Sequence, residues 1–223
     1  MSDFNNCLFI SIEGNIGAGK STLLEGLKQA HPDWVFIDEP VGNWLLFKDD
    51  KSGKHLLELY YEDRKRWGYT FQTRVLLTRM QTILKAIQES GKGKGKEKKV
   101  FVLERSLESD RALFAMLMRE EGDLSSIEWQ LYEEWYTHIH SLVPAVDHYV
   151  WLDIPPPICA ERIVKRAREG EGNIAVSYLQ DMHRVHEEWL GAMPASHCVH
   201  VDTNEMETVS NAIYSRWLSN WMK

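Results

Sequence analysis

The sequence predicts an α/β fold in which a five-stranded parallel sheet is flanked by helices, and three observations support this. Five short apolar segments, typical of buried strands, are spread over the 223 residues. Stretches with helical spacing of apolar residues separate these segments, and a glycine-rich turn follows the first one. Strands that alternate with helices form a parallel sheet covered on both faces. The five predicted strands lie at 8–13, 34–37, 100–103, 148–152 and 198–201.

Helices are predicted between these strands and after the last one. The first begins directly after the glycine-rich turn, two follow the second strand and two follow the third. The fourth strand leads into Pro155-Pro156-Pro157, which favours a helix start because proline is tolerated in the first turn. The final helix is expected to end near Trp221. The other predicted helices cover about 20–29, 55–67, 70–90, 109–119 and 125–141.

Composition indicates one domain, 1–223, and narrows the possible partners. The formal net charge of -7 argues against a nucleic acid polymer as partner, because such proteins usually carry excess Lys and Arg. Three cysteines at long spacings argue against a disulfide framework or a zinc site and are typical of a reducing compartment. No apolar run approaches the roughly 20 residues of a membrane span, and the first strand begins by Cys7, which leaves no room for a targeting peptide. We expect a cytoplasmic protein with no membrane partner.

One segment, 91–99, has a biased composition in which Gly and Lys alternate before a short charged run. Such segments are usually solvated and lack the apolar residues that would fix them against a core. We interpret it as a flexible loop between a helix and a strand.

The strongest motif is G-x-x-x-x-G-K-[ST], which is expected by chance in only about 1% of chains of this length. It lies between a predicted strand and a predicted helix, where glycines let backbone N–H groups point at phosphate oxygens. The helix N-terminus favours negative charge, Lys20 can reach the outer phosphates, and the Ser21 hydroxyl can bind Mg²⁺. The motif therefore predicts a nucleotide triphosphate site. It comprises Gly14, Asn15, Ile16, Gly17, Ala18, Gly19, Lys20, Ser21 and Thr22.

Charged residues follow the second and third strands at the edge where ligands bind in open α/β sheets. Glu39 ends the second strand and is placed near the transferred phosphate. Glu104 ends the third strand, where its carboxylate can hold Mg²⁺, and Arg105 beside it can stabilise charge in phosphoryl transfer. An exposed loop acid and a surface ion pair are the alternatives.

Basic residues are concentrated on the helix after the fourth strand, within about 162–172. Arg162 and Arg166 are four residues apart and share a helix face, and Arg168 follows. These side chains could form a lid over the donor phosphates, although such runs are more often a solvated helix face. Aromatic residues around 44–71 are expected to be core, and some of them could stack on a base.

Taken in order, these motifs resemble those of the deoxyribonucleoside kinases, a family of P-loop kinases, from about Ile10 to Asp202. The resemblance implies transfer of a phosphoryl group from ATP with Mg²⁺ to the 5′-hydroxyl of a deoxynucleoside. The matching segments are Ile12–Thr22, Glu39–Val41, Trp67, Phe71–Thr73, Glu104–Ser106, Ser109–Arg111 and the Arg-rich lid.

The resemblance also implies roles for single residues. Glu39 resembles the general base that takes the 5′-hydroxyl proton, Glu104 the magnesium ligand, and Arg105 the arginine beside the reacting phosphate. Lys20 resembles the lysine of the phosphate loop. The residues that resemble the nucleoside contacts are Trp44 near the sugar, Tyr61 and Glu171 at the 3′-hydroxyl, Gln72 at the base, and Phe71 and Phe114 on its two faces. The residues that resemble the lid arginines are Arg162, Arg166 and Arg168.

Two further positions predict which base is accepted. Arg79 and Asp110 match an Arg–Asp pair of deoxycytidine and deoxyguanosine kinases that thymidine-preferring relatives lack. An ionised Asp accepts hydrogen bonds but cannot donate them, which suits a base with an amine and disfavours thymine. We expect deoxycytidine or a purine deoxynucleoside over thymidine, with a structural ion pair as the alternative. Val75 leaves open whether cytosine or a purine base is preferred.

Some features depart from the family pattern or rest on it alone. The lid carries Gly170-Glu171 where relatives often have two acids, and 202–207 lacks an expected aromatic, which leaves the donor preference open. The family is typically dimeric through a helix pair, here near 55–90 and 125–141. A homodimer is therefore expected.

Two other functions are compatible with the phosphate loop. A nucleoside monophosphate kinase would need a second cluster of positive groups for the acceptor phosphate, and the sequence shows no clear one. A non-enzymatic nucleotide-binding protein would need neither Glu39 nor Gln72 nor a closing lid. The combined motifs favour the deoxynucleoside kinase.

Overall fold

The computed structural model of the chain describes residues 6–91, 98–167, 174–202, 206–213 and 215–216. The strands are β1 (Cys7–Gly14), β2 (Val35–Ile37), β3 (Lys99–Glu104), β4 (His148–Leu152) and β5 (Cys198–Val201). The helices are α1 (Lys20–Ala30), α2 (Val41–Leu45), α3 (Leu56–Glu62), α4 (Arg64–Glu89), α5 (Leu107–Ser109), a π-helix (Asp110–Ala115), α6 (Met116–Glu120), α7 (Ser126–His140), α8 (Pro156–Arg166), α9 (Val176–Leu190) and α10 (Met206–Ile213).

The five strands form one parallel sheet in the order β2-β3-β1-β4-β5, which confirms the predicted fold class. The first strand is central, since Ile10 lies opposite Val102 of β3 on one side and His148 of β4 on the other. Because all strands run in one direction, their carboxyl ends meet at one edge of the sheet. The glycine-rich turn and the residues after β2 and β3 are therefore neighbours.

Alternate residues of β1 pack into two different layers of the core, because successive side chains of a strand point to opposite faces of the sheet. Leu8, Ile10 and Ile12 are buried in a cluster with apolar residues of α1, α8 and α10. Phe9 faces the other side, where its ring stacks on Phe101 of β3 with centroids 4.7 Å apart. Residues of α4 cover this second face. The sheet is thus held between helices on both faces.

A second apolar cluster is formed mainly by helices. It joins α2, α3, α4 and α7 through buried side chains such as Trp44, Tyr60, Phe71 and Tyr132. The aromatic residues expected in the core are therefore located there. This helical layer borders the carboxyl edge of the sheet, because α2 follows β2 directly.

Two of the predicted helical segments have different boundaries in the structure, and α2 and α9 were not predicted. One break falls at Asp63 and not near 68, because the Asp63 side chain accepts a hydrogen bond from Arg66 N at 3.0 Å and caps α4. The helix expected over 109–119 consists of α5, the π-helix and α6. The expected end of the last helix near Trp221 and loop residues 92–97 lie outside the described residues. Within the described parts of the chain, every helix is too short or too polar to cross a bilayer.

Candidate active site

A cavity of about 490 Å³ opens at the carboxyl edge of the sheet, where ligands bind in open α/β folds. Its wall is formed by the glycine-rich turn, the ends of β2 and β3, and residues of α2, α3, α4, α8 and the π-helix. Nearly every residue singled out in the sequence is brought to this cavity. The predicted residues that line it are Ile16, Gly17, Gly19, Lys20, Ser21, Thr22, Glu39, Trp44, Tyr61, Phe71, Gln72, Glu104, Arg105, Asp110, Phe114, Arg162 and Arg166.

The glycine-rich turn forms one end of the cavity. Gly14, Gly17 and Gly19 have φ of 143°, 79° and 101°, a region that side chains disfavour. Gly19 occupies the N-cap of α1 and has no side chain to bond the first N–H groups of that helix. These donors are left for an anionic group, as at other phosphate-binding helix termini. Asn15 braces the turn by donating to the carbonyl of Leu179 at 2.7 Å.

Lys20 is buried beside the turn. Its Nζ donates to the carbonyls of Gly14 at 3.1 Å and Asn15 at 2.9 Å. Burial and the nearby Arg105 lower the pKa of Lys20 to about 8, against the opposing effect of the surrounding carboxylates. Lys20 therefore remains charged at neutral pH, and a phosphate oxygen would compensate for its lost hydration. Arg162 of α8 also reaches the turn, donating to the carbonyl of Ala18 at 2.9 Å.

Two oxygen groups stand beside Lys20. Ser21 Oγ donates to Glu104 Oε1 at 2.8 Å, and Glu104 is buried. Hydroxyl and carboxylate oxygens are suitable ligands for Mg²⁺, which retains several waters and takes further oxygens from phosphates. No cluster of three or more His, Cys, Asp or Glu able to hold a metal occurs among the described residues. This donor set therefore fits Mg²⁺ brought with a nucleotide better than a fully protein-bound ion.

Glu39 lies between two buried arginines. Its Oε1 is 3.3 Å from Arg79 Nη2 and 3.4 Å from Arg105 Nε. Burial would raise the pKa of Glu39, but Arg105, Arg79 and Lys20 together outweigh it and lower the pKa below its ordinary value. Glu39 is therefore an ionised carboxylate at neutral pH, with its second oxygen able to accept a proton.

Arg79 and Asp110 form a buried bidentate pair. Arg79 Nε and Nη2 donate to the two oxygens of Asp110 at 2.6 and 2.9 Å. Burial raises the pKa of Asp110 to about 6, while the Arg79 charge opposes the shift. Arg79 Nη1 also donates to the carbonyls of Glu104 at 2.9 Å and Arg105 at 3.1 Å. Asp110 lines the cavity and Arg79 lies behind it, so the pair has a structural role whichever base is bound.

Aromatic rings form the other end of the cavity. Phe71 stacks on Tyr60 with centroids 4.4 Å apart and meets Trp44 edge-on at 5.4 Å. The Arg105 guanidinium lies over the Phe114 ring, with its Cζ 4.8 Å from the ring centroid. These rings line the cavity and form an aromatic compartment on which a base can stack.

Gln72 is the polar group of this aromatic compartment. Its side chain is buried, and its Nε2 lies 3.8 Å from Met118 Sδ. Its Oε1 has no hydrogen-bond partner among the described residues. A buried amide oxygen in that situation is stabilised by a ligand that donates to it.

Some predicted residues lie away from the cavity, and some cavity residues were not predicted. Gly14, Asn15 and Ala18 belong to the turn but do not line the cavity, while Arg168 and Glu171 fall outside the described residues. Val75, which was considered for base preference, also lines the cavity, and the cavity residues that carry no predicted role are Val41, Leu57, Tyr60 and Lys165. Val41 and Leu57 are apolar and have no chemical signature. Position beside Glu39-Pro40 and Tyr61 was the only signal that could have identified Val41 and Tyr60.

Comparisons with known proteins agree with this geometry. The family model described as "Deoxynucleoside kinase" matches residues 10–221. Deoxycytidine kinase 1 of Xenopus laevis is 38% identical over 195 residues, covering 81% of this chain and 73% of that protein. Human deoxycytidine kinase is 37% identical over 195 residues, which cover 81% of this chain and 74% of that protein. The mitochondrial deoxyguanosine kinase of Xenopus laevis is 37% identical over 193 residues, which cover 81% of this chain and 72% of that protein.

Replacing Gly14 should destabilise the protein, because a Cβ at this position would lie 2.7 Å from the carbonyl oxygen of Leu152. The φ of 143° adds strain for any side chain. We expect Gly14→Ala to lower the free energy of unfolding by about 1–3 kcal/mol. The matched control is Gly42→Ala in α2, where a Cβ meets nothing within 4 Å and stability should rise by about 0.4–1 kcal/mol. Urea unfolding measures both, and equal midpoints for the two variants would contradict the structure.

Proposed function

The chain belongs to the deoxynucleoside kinase family, and from that premise we propose how its cavity transfers phosphate from ATP to the 5′-hydroxyl of a deoxynucleoside. One observation supports the proposal most strongly. A single cavity is lined by the phosphate-binding turn, the Ser21–Glu104 oxygen pair, the ionised Glu39 and several aromatic rings. These groups supply what ATP phosphates, a metal, a 5′-hydroxyl and a base each require.

The donor end binds the triphosphate of ATP in this proposal. The N–H groups of Gly14 to Thr22 and the Lys20 ammonium hold the phosphates, with Arg162, Arg166 and Arg168 as the lid arginines at about 162–172. Ser21 and Glu104 are the protein ligands of Mg²⁺, which when bound neutralises charge on the phosphates. Lys20 exchanges two carbonyls for phosphate oxygens when the donor arrives.

The acceptor end binds the nucleoside. Phe71 and Phe114 lie on the two faces of the base, Gln72 Oε1 accepts a hydrogen bond from it, and Trp44 packs near the sugar. Tyr61 and Glu171 hold the 3′-hydroxyl. This arrangement directs the 5′-hydroxyl toward Glu39, which takes its proton.

Arg105 is the group that stabilises the transferred phosphate. It lines the cavity next to Glu39, and its guanidinium is fixed over the Phe114 ring. Phosphoryl transfer requires little covalent chemistry from the protein, so that positioned cations such as Arg105 and Lys20 supply most of the catalysis.

We propose that deoxycytidine or a purine deoxynucleoside is preferred to thymidine. Asp110 faces the cavity, and its two oxygens are already bound to Arg79, which keeps it an acceptor. Cytosine, adenine and guanine offer amine or N–H donors, whereas thymine places a carbonyl where cytosine has its amine. A carboxylate facing that carbonyl lacks a partner, which costs about 1–3 kcal/mol or more. The relatives described above are named as kinases of deoxycytidine and deoxyguanosine, which agrees with this preference.

We propose a homodimer formed by α4 and α7. These helices pack against each other and carry apolar side chains that are unusually exposed for a single subunit. Self-association would remove this surface from water. The exposed residues are Leu77, Leu84, Ile127, Leu131 and Trp135.

We also propose that the whole of 1–223 forms one kinase domain located in the cytoplasm. Cys7, Cys159 and Cys198 are free thiols, as expected in a reducing compartment. Burial raises the pKa of each thiol, which makes these cysteines unreactive at neutral pH.

An assay with ATP–Mg²⁺ and each of the four deoxynucleosides tests the proposed function. We expect a 5′-monophosphate product from deoxynucleosides and none when deoxynucleoside monophosphates are the acceptors. Lys20→Ala, purified in the same way, should be inactive and excludes contaminating kinases. Phosphorylation of monophosphates alone would instead indicate a nucleoside monophosphate kinase, and ATP binding without turnover a non-enzymatic protein.

Glu39→Gln should lower kcat by about 10²–10⁴-fold, the usual contribution of a general base, because the amide cannot take the 5′-hydroxyl proton. KM for ATP should change little, since Glu39 does not contact the donor in this proposal. Asp38→Asn is the matched control, because Asp38 is exposed and pairs with Lys28 at 2.8 Å away from the cavity. A kcat for Glu39→Gln equal to that of the control would show that another group takes the proton.

The double variant Arg79→Met with Asp110→Ala should raise kcat/KM for thymidine relative to deoxycytidine. It removes the acceptor that faces thymine without leaving one buried charge unpaired. The ratio of kcat/KM for the two nucleosides is the measurement, so that a general loss of activity cancels. A wild-type enzyme that already prefers thymidine to the other three would refute this view of the base pocket.

A further inference from the structure

Glu13 is a fully buried carboxyl that lies below the cavity and does not line it. It occupies β1 directly before Gly14, on the face of the sheet that also carries Phe9 and Ser11. Carboxylates avoid such surroundings unless hydrogen bonds and an opposite charge compensate for lost hydration. The contacts of Glu13 therefore indicate which groups this carboxyl positions.

Both carboxyl oxygens of Glu13 are directed at the segment that follows β3. Oε1 accepts hydrogen bonds from Ser11 Oγ at 2.6 Å, and from Ser106 N and Ser106 Oγ at 3.1 Å each. Oε2 lies 4.0 Å from Nη1 of Arg105. Oε2 and this Nη1 have no hydrogen-bond partner among the described residues, and each is an opposite charge that partly compensates the burial of the other.

The backbone at Arg105 needs this support. Arg105 has a φ of 65°, the left-handed region, which side chains adopt only when the surroundings impose it. On one side the Arg105 N–H donates to the carbonyl of Ile12 at 3.1 Å. On the other side the Ser106 N–H donates to Glu13. Two successive residues of β1 thus hold the two ends of the strained residue.

The Arg105 guanidinium lies between two carboxylates, of which only Glu39 is expected to take up a proton during transfer. Glu39 on the cavity side accepts the 5′-hydroxyl proton and becomes neutral during transfer, so its attraction for Arg105 falls when the phosphate arrives. Glu13 on the buried side is shielded from both substrates and keeps its place throughout. Burial raises the pKa of Glu13 while Arg105 and the Ser11 hydroxyl oppose the shift, so its charge depends on Arg105 in turn.

We propose that Glu13 is a positioning residue for the transfer step, which holds Arg105 and the Arg105–Ser106 turn in the orientation that stabilises the transferred phosphate. The inference rests on the proposed function, and specifically on the role of Arg105. Glu13 would thus contribute to catalysis without contacting a substrate.

Glu13→Gln tests the proposal, because the amide keeps the size of the side chain and an acceptor for Ser106 but removes the charge opposite Arg105. We expect kcat to fall about 10- to 100-fold, as for other residues that support a catalytic group, with little change in KM for either substrate. Ser11→Ala is the matched control. It is buried on the same strand face and loses one hydrogen bond to Glu13, but it leaves the carboxylate in place, so its kcat should remain near that of the wild type.

A double-mutant cycle with Arg105→Ala separates positioning from stability. If Glu13 acts through Arg105, adding Glu13→Gln to Arg105→Ala should cause no further loss of kcat. An equal loss in both backgrounds would overturn the proposal, as would full activity of either single variant. An inactive wild type would refute the proposed function itself, which the same assay series reveals first.

Glu13→Asp decides the question if Glu13→Gln does not fold. Aspartate keeps the charge and withdraws it by about 1.5 Å, the length of one carbon–carbon bond. The proposal predicts a reduced kcat with unchanged KM and a thermal midpoint close to that of Ser11→Ala. A wild-type kcat for this variant would overturn it.

Discussion

The site depends on one buried guanidinium, that of Arg79, because it ties together three segments that meet only in the folded chain. Its five N–H donors reach the two oxygens of Asp110 in the π-helix, Glu39 after β2, and the carbonyls of Glu104 and Arg105 after β3. A cation buried this deeply is tolerated only when its donors are satisfied. The same requirement positions Glu39, Asp110 and Arg105, which we propose as the general base, the acid that faces the nucleotide base and the arginine beside the phosphate.

The charges around Arg79 alternate in sign across the cavity floor. Arg105 stands between Glu13 and Glu39, and Lys20 stands near Glu39 and Glu104. Opposite neighbours offset part of the cost of burying these charges. The enzyme is thus polarised for phosphoryl transfer before substrate binds, since dipoles and charges need not reorganise at the moment of reaction. Burial is the main cause of the lowered pKa of Lys20, with a smaller contribution from Arg105.

Local signals in the sequence predicted the fold and much of the site. The phosphate-binding turn and the five strands were predicted because each is encoded by adjacent residues, and because parallel strands bring Glu39 and Glu104 to one edge. The π-helix was missed, since no composition distinguishes it from an α-helix over 109–119, although it carries the cavity residues Asp110 and Phe114. The break at Asp63 was missed because apolar spacing continues across it, whereas the cap is a single side-chain hydrogen bond.

Long-range contacts set the limit of prediction from one sequence. Arg79 was singled out for base preference, but its hydrogen bonds to Glu39 and to two carbonyls join residues 25 to 40 positions apart. Glu13 is the last residue of the first predicted strand, and its buried contact with Arg105 depends on the register of β1 against β3. Such roles follow from topology and burial, which adjacent residues do not encode.

The most direct test of this account is the pH dependence of kcat for the wild type and for Arg79→Met. Arg79 is one of the cations that hold the pKa of Glu39 low, and Glu39 must be ionised to take the proton. Asp110, left without its partner, can protonate and so avoid an unpaired buried charge. The account predicts that the acidic limb of the profile moves to higher pH in Arg79→Met, because Glu39 becomes protonated more readily. An acidic limb at the same pH in both proteins would contradict it.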